Sequence, residues 1–89
     1  MIKNFTLGAV EWTVEEVSSA LSNKMGISDS RLATIKIDKD VNLDMKEETL
    51  YHEVIHAILD SSGLHEESKN EQLVQTLAQG IYQFEKTKK

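Results

Sequence analysis

Leu50-Tyr51-His52-Glu53-Val54-Ile55-His56-Ala57-Ile58-Leu59 is the stretch on which the fold turns. It sits in a segment that opens with Asp44 and Glu47, a capping pair three residues apart, and meets no glycine or proline before Gly63. At about 100° per residue, Leu50, Tyr51, Val54, Ile55 and Ile58 share one broad apolar face, while His52, Glu53, His56 and Asp60 fall outside it. The pattern predicts an amphipathic helix that stops at Gly63.

Downstream, Ser68 with Glu71 repeats the capping pattern, and Leu73, Val74, Leu77, Ala78, Ile81, Tyr82 and Phe84 carry a second helix to about Lys86. Upstream, Phe5 and Leu7 alternate in one parity and Val10, Trp12 and Val14 in the other, with Gly8 at the change. This predicts a strand with a turn or bulge near Gly8, running to about Val17 and followed by a short irregular or helical turn. Thr13 with Glu16 also reads as a capping box, with Val14, Val17 and Leu21 at helical spacing, and is the competing reading. Residues 22–30, mixing Ser, Asn, Gly and Asp, read as loop, and residues 32–38 as a second strand ended by Asp38 and Asp40. The expectation is one α+β domain over residues 1–89, a small antiparallel sheet packed on two helices.

Composition narrows what such a domain does. With 89 residues there is room for one core and one site, and a domain of this size hides only roughly 60–65% of its surface on folding. There is no cysteine, so a metal would have to sit on histidine and carboxylate ligands, and the chain suits a reducing cytoplasm. A net charge of −5 argues against nucleic acid as a partner, since phosphate binders carry a basic stripe. No apolar run suits a signal peptide or a membrane span. Lys86, Lys88 and Lys89 read as favourable charges at the end of the second helix, and Glu66 and Glu67 as favourable charges before its start. Trp12, Tyr51 and Tyr82 read as core.

Two histidines four apart stand one turn above each other, so His52 and His56 can reach one zinc at about 2.0–2.1 Å. Glu53, directly after the first, projects beside the metal and suits a general base toward a water there. A catalytic zinc takes a third protein ligand, for which Glu71 is the first candidate, because it reads as a carboxylate at the head of the buried stripe Val74, Ala78 and Ile81, where it needs a partner. The competing role for Glu71 is completion of the Ser68 capping box. Asp60, a further turn along the same helix, diverges from the metal and suits orienting a histidine, and His65 reads as a loop residue that could be a ligand or an electrophile.

These residues, from Leu50 to Leu59 and then Asn70-Glu71, resemble the zincin metallopeptidases in which a glutamate on the following helix completes the site. The metzincin branch is excluded, because it needs a glycine in place of Leu59 and a histidine in place of Ser62. The stretch around Trp12, from Gly8 to Val14, and Thr34-Ile35-Lys36-Ile37-Asp38 are similar to the small zincin-like proteins of bacteriophages and mobile elements, akin to a reduced ImmA/IrrE-type peptidase. The resemblance implies a minimal zincin-like fold, zinc on His52, His56 and Glu71, Glu53 as the catalytic base, and a peptide or protein substrate cleaved internally. The strand over residues 32–38 would offer its edge to an extended peptide. Larger zincins add a subdomain forming the far wall of the cleft, which these 89 residues do not supply. The alternative expectation is therefore a zinc-bound regulatory or interaction module that keeps the site without turnover.

Overall fold

The computed structural model describes residues 1–18 and 24–89. Four strands, β1 (Asn4–Leu7), β2 (Val10–Val17), β3 (Gly26–Asp29) and β4 (Thr34–Asp38), are followed by three helices. These are α1 (Leu43–Ser61), α2 (His65–Ser68) and α3 (Glu71–Thr87). The fold is a small α+β unit. Among the described residues no helix is long and apolar enough to cross a membrane.

The change of parity at Gly8 is a hairpin: β1 and β2 pair antiparallel with Leu7 opposite Val10, leaving Gly8 and Ala9 as the turn. Residues 13–17 are strand, which removes the competing helix over that part, while Leu21 lies outside the described residues. On β2 the inward positions are Trp12 and Val14, and Trp12 stacks on Phe5 of the neighbouring strand with centroids 5.9 Å apart.

Two expectations about the sheet need correction. It is mixed rather than antiparallel, with order β1-β2-β4-β3 and β2 parallel to β4, Thr13 facing Thr34 and Val17 facing Asp38. The cause is a strand inside the stretch read as loop: Gly26–Asp29 forms a hairpin with β4 and takes the outer position. Gly26, Ser28 and Asp29 have little strand propensity, and tertiary pairing overrides it. Residues 22 and 23 of that stretch lie outside the described residues. The second correction follows from the first. β4 is flanked on both sides, so it offers no edge; β3 does. The strand also begins at Thr34, because Asp29 Oδ1 accepts from the backbone N–H groups of Arg31 (3.0 Å) and Leu32 (3.3 Å) and holds those residues in a turn.

Helix α1 is the central layer. The broad apolar face expected of it is two stripes with different partners. Leu50, Val54 and Ala57 pack with Trp12, Ile35 and Ile37 of the sheet, and Tyr51, Ile55 and Leu59 pack with Val74 and Ala78 of α3. Ile58, assigned to the apolar face from spacing, is 41% exposed, and Ile81 of the expected α3 stripe is 43% exposed. The side of α1 left between the sheet and α3 carries His52, Glu53 and His56. At the far end, α3 is tied to the start of α1 by Lys86 Nζ to Glu47 Oε1 (3.1 Å) and by the edge-on contact of Tyr51 with Tyr82.

The helix ends are set by residues near those expected. Asn42 caps α1, its Oδ1 accepting from Met45 N–H at 2.9 Å, so Asp44 is a first-turn acid rather than the cap. Gly63, at φ +77°, ends it. Leu64 N–H returns to Leu59 O (2.8 Å) and Gly63 N–H to Asp60 O (3.2 Å), a Schellman motif that only a left-handed residue closes cheaply. The reversal leads straight into α2, where a loop was expected. Ser68 is buried in α2 and does not cap α3; Asn70 does, accepting from Leu73 N–H at 3.0 Å.

Gly26 lets β3 lie close on α1. A Cβ there would stand 2.6 Å from Thr49 Cγ2 and 3.1 Å from Glu53 Cγ. Gly26→Ala is therefore expected to cost about 1–3 kcal/mol, as overpacking does. Gly80→Ala, in the exposed middle of α3 with nothing within 4 Å, should stabilise by about 0.5–1 kcal/mol. Urea midpoints at unchanged slope read both, and equal shifts for the two variants would show that β3 is not pressed against α1.

Candidate metal centre

His52 and His56 project from adjacent turns of α1 with ring centroids 5.0 Å apart. Glu71, the first residue of α3, reaches both: its Oε1 lies 2.8 Å from His56 Nε2 and its Oε2 lies 3.6 Å from His52 Nε2. One donor atom from each of the three falls within 4.8 Å of the others, the arrangement that could hold a metal ion. The capping role for Glu71 is excluded, since Asn70 is the cap. The reason expected for Glu71's placement was also wrong. Its side chain is 68% exposed, and position rather than burial brings it to the histidines: the Schellman turn and α2 fold the start of α3 back over them.

Each histidine uses its other ring nitrogen on a second partner. His52 Nδ1 meets Gln75 Oε1 at 2.6 Å, and His56 Nδ1 meets the buried Ser68 Oγ at 2.9 Å. Gln75, one turn after Glu71 on α3, donates its Nε2–H to Glu48 Oε1 (3.1 Å), one turn before His52 on α1. Sequence reading missed Glu48, Gln75 and the role of Ser68. Spacing was the available signal for the first two, because they stand four residues from a candidate ligand on the same helix face.

An Nδ1 that donates a hydrogen bond leaves a lone pair on Nε2 of a neutral imidazole. In that form the Nε2 lone pair of His52 would face the acceptor-only Glu71 carboxylate and repel it unless a proton or a metal ion lay between them, whereas His56 Nε2, 2.8 Å from Glu71 Oε1, can donate to it directly. Two imidazoles and a carboxylate could together hold a metal ion, and partners on the remote ring nitrogens orient such ligands.

Glu53 is the one deeply buried carboxylate among the described residues, 7% exposed. It falls outside the apolar stripes of α1 yet is covered, because β3 closes over it at Gly26. Burial pushes its pKa above the ordinary 4.5; His56 and His52 oppose that, and Glu71 adds to it. Asp60 and His65 do not join the donor group: His65 Nδ1 lies 3.3 Å from Asp60 Oδ1, so they pair with each other.

The groove over these residues runs between β3 and the α2–α3 side. One lobe, of about 340 Å³, is lined by Gly26, Thr49, His52, Glu53, Glu71 and Gln75 among others. The other, of about 520 Å³, includes Ser28, Glu53, His56, His65, Ser68 and Glu71. A separate concavity of about 650 Å³ lies on the other side of α1, against Met1, Ile2, Phe5, Leu50 and Val54. It contains none of the donor group, so the chemistry is assigned to the groove beside β3.

No family model matches this chain, and no match is found among curated proteins or solved structures. The functional reading therefore rests on the chain's own residues.

Proposed function

We propose that this chain is a zinc-dependent hydrolase of minimal zincin-like build that cleaves peptide bonds, with His52, His56 and Glu71 as metal ligands and Glu53 as the general base. One observation carries the reading. A buried carboxylate with a raised pKa stands beside three converging side chains that could hold a metal ion, at the floor of an open groove. A zinc ion held by that set would supply Lewis acidity toward a water and a carbonyl oxygen.

The remaining work falls to the chain itself. Glu53 accepts the proton of the attacking water at its carboxylate and can return it to the leaving amine, a role for a carboxyl whose burial raises its pKa. His52 and His56 are held in orientation by Gln75 and Ser68. Strand β3 is the sheet edge beside the groove, and its outward backbone groups can pair with an extended peptide laid across Glu53. This assigns to β3 the part expected of residues 32–38.

Metal analysis tests the reading. The protein is expected to take up about one zinc per chain, matching a single ligand set. Zinc at a hundredfold excess over its dissociation constant should stabilise the fold by about 2.7 kcal/mol, read as a fall in Tm on chelation and recovery on adding zinc back. A chain that takes up no zinc removes the basis of the proposal. Tight zinc without cleavage of a peptide library or folded proteins would favour the non-catalytic module.

A further inference from the structure

From the hydrogen bonds behind the site we infer that Glu48 is a positioning residue: acting through the Gln75 amide, it fixes the tautomer of His52 so that Nε2 is left unprotonated and aimed at the metal site. The inference deepens the proposed function and rests on His52 being a ligand. Its logic is one of donors and acceptors. A carboxylate only accepts hydrogen bonds, and Glu48 receives two, from Gln75 Nε2 at 3.1 Å and Gln79 Nε2 at 3.3 Å. Gln75 must therefore turn its NH₂ toward Glu48 and its carbonyl oxygen toward His52. The flipped amide would set oxygen against oxygen.

An amide oxygen can only accept, so the proton of the 2.6 Å contact belongs to His52 Nδ1. A neutral imidazole has a single N–H, and Nε2, 3.6 Å from Glu71 Oε2, is left with its lone pair. No comparable lock acts on His56. Its partner is the Ser68 hydroxyl, which can rotate to donate or to accept. Helix geometry supports the relay, since Glu48 precedes His52 by four residues on α1 and Gln75 follows Glu71 by four on α3.

Imidazole ¹⁵N spectra of the metal-free protein at pH about 8.5, two units above the ordinary histidine value, read the tautomer without any metal. Wild type is expected to show His52 as Nδ1–H. Glu48→Gln keeps the shape but can both donate and accept, so the Gln75 amide is free to flip and the Nε2–H form of His52 should appear, with the His56 ring unchanged. Zinc affinity should fall by about 10–100-fold, the usual effect of losing an outer partner. Combining Glu48→Gln with Gln75→Glu puts an amide donor behind a carboxylate acceptor and should restore the wild-type tautomer, a rescue that general loss of packing would not give. Wild-type His52 found as Nε2–H, or a His52 ring unaffected by Glu48→Gln, overturns the inference. If the tautomer responds as expected but wild type binds no zinc, the relay stands and the metal-site reading fails.

Discussion

Glu53→Gln is expected to keep the fold and the zinc while lowering peptide turnover by about 10²–10⁴, the usual contribution of a general base. The amide fits the same buried space, and the position is not in the donor group, but a neutral amide cannot take the proton of water. A digest comparing wild type and variant at matched zinc content reads the effect, and equal rates would rule Glu53 out as the base. The same substitution carries a stability signature. Because burial raises the folded-state pKa of Glu53, its stabilising contribution is complete below the ordinary 4.5 and is lost as the pH rises through the raised value. Glu53→Gln has no such loss. In metal-free protein the Tm difference, variant minus wild type, should therefore grow from pH about 4 to about 8. A flat difference would mean that the buried carboxyl does not hold its proton more tightly than the unfolded chain does.

Glu71→Ala and His56→Ala are each expected to weaken zinc binding by more than about 100-fold, beyond the 10–100-fold typical of residues behind the ligands. Asp60→Ala and His65→Ala should leave it close to wild type, because those side chains bond each other and stand apart from the donor group. Competition against a fluorescent zinc chelator measures all four. Glu71 is exposed, so Glu71→Ala should fold normally, and its loss of affinity cannot be assigned to a damaged core. His56→Ala also leaves Ser68 without its partner and should cost some stability in the metal-free protein. If Asp60→Ala or His65→Ala weakened zinc as strongly as Glu71→Ala, the third ligand would have been misassigned.

What could be read directly from the chain is local in origin. Helix periodicity and capping act over three or four residues, so the helix bearing His52, Glu53 and His56, its end at Gly63 and the following helix to about Lys86 were legible, as was the turn at Gly8. The identity of the three converging donors followed from the same local spacing plus one guess about the next helix. Each cap lies two positions from the residue expected, because Asn42 and Asn70 are as able to cap as neighbouring Asp44 and Ser68 and only the final chain path decides among them.

Strand pairing and burial are non-local, and there the sequence alone did not suffice. By itself it determined an α+β chain with a paired-histidine helix and a carboxylate between the histidines. Tertiary structure decided that Gly26–Asp29 is a strand, that β4 lies inside a mixed sheet, and that β3 is the edge over the groove. It also decided that Glu53 is buried, since a polar residue outside the apolar stripes of a helix is covered only when another element comes down on it, as β3 does at Gly26. The relay from Glu48 through Gln75 to His52 belongs to the same class. Its members are 27 and 23 residues apart, and only the packing of α3 along α1 brings them within hydrogen-bonding distance.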